Sequence, residues 1–316
     1  MSAETTTTTL DDLTNPSLIQ PYIVRALSEV PGFAGFAKEF NLIGQPTKTA
    51  KIPVENSFWG SPADRGAGVD TEFDQAELTD VPNVARSTGV VTIAAGEYGV
   101  AHELEDKVPE DSIPAWDLLI QFDQRMLHVL LLAMDDDFIA LFAGLSNVVG
   151  TTNVDLTVAQ LLQVQSDLLT RGVQAEGMVY VLDNKQAADI NAALIGTNAA
   201  QAIYAMAADR ILSWQPMPSL TSRQISTFRG YPVFVSGLTD TANAAVDVVG
   251  AGFVPSTAVN DNFGHTTFGA VWKRLPRFEM ERHAKRRTSD FVMTARWGVG
   301  EMLDGSGSAI ITNAAP

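Results

Sequence analysis

The chain has no cysteine in its 316 residues, which excludes disulfides, thiol catalysis and cysteine-bound zinc or iron–sulfur centres. Positive charge is also scarce. Against 37 Asp and Glu stand 21 Lys and Arg, and a net charge of −16 argues against a surface built to grip nucleic acid. The most apolar stretch, Met126 to Ala133, falls far short of the ~20 residues that cross a bilayer, so no membrane contact is expected. The opening MSAETTTTTLDDLTNPS lacks the basic segment and apolar core of a secretory signal, and an intracellular setting is expected.

Catalytic signatures are missing too. There is no Gly-Lys dipeptide for a phosphate-binding loop and no G-x-S-x-G elbow. GAGVDT and GAGFVP both fail the glycine spacing of a dinucleotide fingerprint, and HELED at 102–106 lacks the second histidine of a helical zinc motif. His102, His128, His265 and His283 are scattered. Glu103 and Asp106 could be drawn as a glycosidase dyad, but such pairs are common in an acidic chain. We therefore expect no catalytic residue, no cofactor and no metal site. The different-class alternative is a hydrolase with an unrecognised acidic site.

What is present is a chain that is 46 % apolar, enough for a sizeable core. After a Thr-rich tail to about Asn15, helical spacing of Ile23, Leu27 and Val30 predicts a short arm, broken by Pro31 and Gly32. AKIPVENSFW and STGVVTIAAGEYGVAHELED read as extended, around a loop rich in Asp, Gly and Pro that has no clear apolar face. A helix is predicted from Pro114 to Gly144. A second helix follows Thr157, whose spacing from Gln160 is that of a capping box; Leu161, Leu162, Leu168 and Leu169 supply its apolar side. GMVYVLD reads as a buried strand, with Asp183 or Asn184 capping a third helix. RQISTFRG, YPVFVSG and AVDVVGAGFVP predict short strands of an inserted subdomain. FGAVWKRLPRFEMERH and SDFVMTARWGVGEML form a long hairpin with Phe291, Met293, Ala295, Trp297 and Val299 on one face, and GSGS at 305–308 reads as a flexible tail. Phe58, Trp59, Trp214, Phe228, Phe234, Trp272 and Trp297 are expected in the core or at subunit contacts.

The three carboxylates in LLLAMDDDFIALFAG raise the question of a metal site. At 100° per residue Asp135 shares a stripe with Asp117, Gln121, Gln124 and His128, which predicts a solvent face. Asp136 and Asp137 are rotated off that stripe, so the trio cannot converge on one ion from a regular helix.

Taken in order, the loop-to-helix passage from VTIAAGEYGV to DDDFIALFAGL, the unit GMVYVLDNKQAADINAAL, the phrase FRGYPVFVSG and the closing strands resemble a tailed-bacteriophage major capsid protein of the Hong Kong 97-like fold. The likeness covers roughly residues 16 to 305. It implies an α+β architecture: an N-terminal arm at 1–45, an extended β-loop at 46–112, and a peripheral domain at 113–196 with its spine helix. An axial domain at 197–253, a peripheral-domain hairpin at 254–305 and a C-terminal tail at 306–316 complete it. It also implies pentamers and hexamers closing into an icosahedral shell around double-stranded DNA, assembled in the host cytoplasm and residing in the virion. A portal and a separate scaffold or decoration protein would be partners. An encapsulin-type nanocompartment shell on the same fold is the alternative. Some relatives cross-link through an extended-loop lysine, but 52–106 contains none here.

Charge is divided unevenly. Between Ile52 and Asp106 eleven acidic residues face Arg65 and Arg86, whereas from Phe268 to Leu303 eight basic residues face four acidic ones. With the resemblance placing the loop across a neighbour, Asp64, Asp70, Glu72, Asp74, Glu77 and Asp80 are expected to meet Arg282, Lys285, Arg286 and Arg287 between subunits.

Overall fold

The computed structural model describes residues 4–5, 32–57, 87–107, 115–171, 177–195, 224–256 and 266–314. In chain order the strands before the first long helix are β1 (Glu4–Thr5), β2 (Lys38–Asn41), β3 (Thr49–Ser57), β4 (Ser87–Ala94) and β5 (Tyr98–Glu105). Helix α1 (Ala115–Ala140) continues into a 3-10 turn at Leu141–Gly144. After it come β6 (Val148–Gly150), α2 (Val158–Thr170), β7 (Val179–Asp183) and α3 (Asn184–Ile195). The strands that follow among the described residues are β8 (Gln224–Phe228), β9 (Tyr231–Ser236), β10 (Thr241–Ala242), β11 (Asp247–Phe253), β12 (Phe268–His283), β13 (Thr288–Glu301) and β14 (Gly307–Asn313), with a 3-10 turn at Asp304–Ser306 before the last.

The described residues form three sheets. One runs β1-β5-β13-β12-β2, the second runs β6-β14-β11-β7-β9-β8 with β10 beside β11, and β3 pairs with β4 alone. Helix α1, about 39 Å long at 1.5 Å per residue, lies where the first two sheets meet. Met126, Leu130, Met134 and Phe138 form its core stripe at helical spacing, and they share one cluster with Phe291, Met293 and Trp297 of the first sheet and Val249, Ala251 and Phe253 of the second. Phe138 is packed edge-on against Phe142, Phe253 and Phe268, with ring centroids 5.1 to 5.8 Å apart.

The opposite face of the second sheet carries α2 and α3, through Leu161, Val164, Leu168, Tyr180 and Ile190. The sheet is thus buried on both sides, and GAGF becomes intelligible: alternate residues Ala251 and Phe253 face α1 while Gly250 and Gly252 face the helices. A Cβ at Gly250 would lie 2.4 Å from Gln186 Oε1. Gln186, fully buried, donates to Ile310 O and Thr312 Oγ1 (both 2.9 Å) and accepts the Asp183 amide (3.1 Å), so one side chain ties α3 to β14. The predicted caps are present: Thr157 and Gln160 form a reciprocal capping box, and Asp183 Oδ1 accepts the Lys185 amide at 2.6 Å.

Four expectations are corrected. The residues read as a flexible tail make β14, paired over seven residues with β11 and buried: a Cβ at Gly307 would strike Thr267 and Leu145, while Ser306 and Ser308 bond Thr267 and Asn147. The strands of 224–253 do not form a sheet of their own but share one with β7 of the β–α unit, since β7 pairs with both β9 and β11. Within the Thr-rich start, Glu4–Thr5 pairs parallel to β5. Leu169, expected on the apolar side of α2, is about half exposed. The arm helices, the loop at 58–86, Trp214 and the stretch 196–223 lie outside the described residues.

The long hairpin of β12 and β13 forms as predicted, with Phe291, Met293, Ala295 and Trp297 buried on the α1 side. On its other face β4 crosses closely. A Cβ at Gly298 would sit 2.1 Å from Ala94 O, so only glycine admits that approach. Ala50, Ile52, Ile93 and Val271 seal the contact and root the β3–β4 hairpin on the first sheet.

Candidate subunit interface

The far end of the β12–β13 hairpin is held by side chains from β5 and from Asp106 just after it. The Arg282 guanidinium donates to Asp106 Oδ2 at 2.8 Å, Thr288 Oγ1 donates to Glu103 Oε1 at 2.9 Å, and Arg286 lies 4.0 Å from the same Glu103 oxygen. Arg287 adopts a left-handed φ of 54°, and its carbonyl accepts the Asp106 amide at 2.8 Å, which closes the turn against β5. Further along, Arg274 pairs with Glu97 at 2.8 Å and His283 with Asp290 at 2.9 Å. Exposed pairs of this kind fix geometry more than they stabilise.

The acidic and basic segments expected to meet between subunits therefore already meet within one chain, through Glu97, Glu103 and Asp106. Of the four basic residues singled out, Arg282 and Arg286 have these partners, whereas Lys285 and Arg287 have none among the described residues. Asp64, Asp70, Glu72, Asp74, Glu77 and Asp80 lie outside the described residues.

A feature the sequence reading missed lies beside this tip. β2 covers the outer edge of β12 only from Gly269 to Trp272, and Lys273 Nζ donates to the Leu42 and Gln45 carbonyls just beyond. From there to His283 the outer edge has no ladder partner among the described residues. Leu275, Phe278 and Met280 are exposed on this half, at 54 %, 42 % and 64 %. An open, apolar strand edge is a template for another chain. The signal is in RFEMERH, where Phe278 and Met280 alternate with charged residues at the end of the longer strand.

The three aspartates of α1 diverge, each with separate surroundings. Asp135 is the correction: instead of facing solvent it is buried, and its two oxygens accept the Gly32 and Ala34 amides at 2.7 and 2.8 Å, holding the turn at Phe33–Phe36. Asp137 accepts Trp297 Nε1 at 2.9 Å and the Tyr98 hydroxyl; burial and this carboxylate push the Tyr98 pKa up to about 12. Tyr98 stacks on Trp297 with centroids 3.8 Å apart. Asp136 is exposed, and partial desolvation followed by the charges of Asp240 and Asp137 raises its pKa. Among the described residues no three His, Asp or Glu side chains converge as metal ligands. A groove of about 520 Å³ beside α2 is lined by Leu162, Gln165, Ser166, Leu169, Thr170 and Arg229, a set without an acid–base pair or nucleophile–base pair. Phe228, Phe234 and Trp297 are in the core, as expected, while Glu103 and Asp106 serve the hairpin tip.

No protein-family model and no curated protein sequence matches the chain. Its fold does match solved structures. The capsid structure of cyanophage P-SCSP1u aligns at a TM-score of 0.64 over 94 % of this chain and 92 % of that one, with 10 % identity. A structure from Mycobacterium phage Che8 aligns at 0.62, over 94 % and 96 %, with 12 % identity. The capsid of a native GTA particle aligns at 0.58, over 95 % and 97 %, with 14 % identity. The chain shares the mixed α+β fold of these solved structures.

Proposed function

We propose that this chain is the major capsid protein of a tailed bacteriophage, built on the Hong Kong 97-like fold and assembling into pentamers and hexamers of an icosahedral shell around double-stranded DNA. The observation that carries the reading is the alignment with a phage capsid structure over 94 % of the chain. An open apolar edge and the lack of any catalytic constellation among the described residues support an assembly role. The expected boundary at 196/197 would cut through the second sheet, where β7 pairs with β9 and β11; in this reading it is redrawn, so that α1 and the first sheet form the peripheral part and the second sheet with α2 and α3 forms the axial part. The loop carboxylates Asp64 to Asp80 reach a neighbour's hairpin tip, where Lys285 and Arg287 remain available, and steer association. The net charge of −16 keeps the shell from gripping its DNA.

Electron microscopy and sedimentation of the purified chain test the proposal. Shells or ring-shaped capsomers are expected; a monodisperse monomer at high concentration across salt and pH overturns it. DNA content, as opposed to enclosed protein, separates a virus from a nanocompartment. For the tip, reversing Lys285 and Arg287 to Glu should slow assembly, and reversing Asp70 and Glu72 to Lys should partly restore it. Normal assembly with poorer DNA retention would assign the tip to the lumen instead.

A further inference from the structure

The outer half of β12 has a sequence that complements itself. From Arg277 to His283 its register against β13 is regular, whereas irregularities flank Arg274 and Pro276 lacks an amide hydrogen, so the segment able to accept another strand starts at Arg277. Phe278 and Met280 lie opposite Met293 and Phe291 and therefore share the α1 face; Arg277, Glu279 and Glu281 share the other.

In an antiparallel pair of two such edges only registers that match like faces keep the sheet continuous. Centring on Met280 sets Glu279 opposite Glu281, like against like. Centring on Phe278 brings Pro276 into the ladder. Centring on Glu279 sets Arg277 opposite Glu281 twice and Phe278 opposite Met280 twice, the favourable cross-strand combinations. Its single like-charge pair is Glu279 against itself, and each Glu279 is held by its own Arg277 at 3.0 Å.

We propose that the outer edge of β12 pairs antiparallel with the same edge of a second copy of this chain, across a two-fold axis at Glu279. The contact is isologous, the same patch on both copies, and such a contact can join one closed ring of subunits to the next. The inference rests on the capsid reading for its setting, and on the open edge for its geometry. It joins the two first sheets into one continuous sheet and covers the exposed Phe278 and Met280.

The absence of cysteine makes the test clean. Glu279→Cys places two thiols at the axis, and mild oxidation of assembled particles should convert most chains to disulfide-linked dimers in a non-reducing denaturing gel. Lys285→Cys, at the hairpin turn, should stay monomeric. Arg277→Glu should raise the concentration needed for assembly at least tenfold, Arg277→Glu with Glu281→Arg should restore it, and Glu279→Gln should lower it. Thermal melting of each variant checks that the fold is kept. Intact shells whose Cys variant at 279 stays monomeric, equal cross-linking at 285, or a bond from 279 to a cysteine introduced at Glu72 would overturn the pairing and leave the capsid reading standing. Monomeric unsubstituted protein would overturn the capsid reading alone, provided that the 279 variant still gives dimers.

Discussion

In β11 all seven residues from Asp247 to Phe253 are buried, whereas in β12 full burial ends at Val271 and the strand runs on for twelve more residues into solvent. β11 has β14 on one side, β7 on the other, α1 on one face and the α2–α3 layer on the other. Everything it needs is supplied by its own chain. β12 begins the same way, with β2, β13, α1 and β4 around it, and then outruns every one of these except β13. The chain itself closes both edges and both faces of β11, whereas among the described residues the outer half of β12 has β13 alone beside it, and that open stretch is where a partner fits.

The largest effect is expected where α1 meets the two sheets. Phe138→Ala removes the ring on which Phe142, Phe253 and Phe268 converge, and should cost about 4 kcal/mol of unfolding free energy, the usual range for a large core aromatic. Denaturant titration followed by tryptophan fluorescence measures it. A loss below about 1 kcal/mol would mean that the junction of the two sheets is not the stabilising centre. Asp135→Ala comes next. It removes the acceptor of the Gly32 and Ala34 amides, which are only part-buried, so the expected loss is at the lower end of the range for an unsatisfied group, about 1–2 kcal/mol. Hydrogen exchange should show faster exchange at Gly32 and Ala34 than in the parent chain, while β11 stays protected.

These two residues also show what was legible in the sequence and what was not. The apolar spacing that places Phe138 in the core is a local periodicity, as are the Thr157–Gln160 box and the period-two face from Phe291 to Trp297, and all three were readable. Asp135 was not, because its place on a polar stripe is local information, while the backbone amides that bury it arrive from about 100 residues earlier. β14 failed for the same reason: GSGS suggests flexibility until β6 and β11 close on both its edges. Of the candidate interface, the uneven charge was readable. Its partial neutralisation by Glu103 and Asp106 was not, since it depends on β5 joining β13 rather than remaining with the loop.

The contact between α1 and the first sheet gives a pH test of intermediate size. Tyr98 has its pKa pushed up to about 12 by burial and by the Asp137 carboxylate, against an ordinary value near 10. The folded state thus favours the neutral phenol. Its contribution is fully present below pH ~10 and is lost as pH rises from about 10 to about 12. Thermal midpoints should fall through that window in the parent chain, and fall less in Tyr98→Phe. Equal slopes would show that folding does not raise the Tyr98 pKa, by burial or by Asp137.

The smallest effect on stability should come from the open edge, and it sharpens the comparison most. Leu275 and Met280 are more than half exposed in the single chain, so Leu275→Ser with Met280→Ser removes little buried area and should change unfolding free energy by no more than about 0.5 kcal/mol. If the edge merely faces water, assembly should be as indifferent as folding. If a second chain covers it, the same two substitutions expose hydroxyls where apolar contact is required, and the concentration for assembly should rise while the melting curve of the unassembled chain stays put. A change in melting that matches the change in assembly would mean that the outer half of β12 is part of the chain's own core after all, and that the contrast with β11 is one of degree.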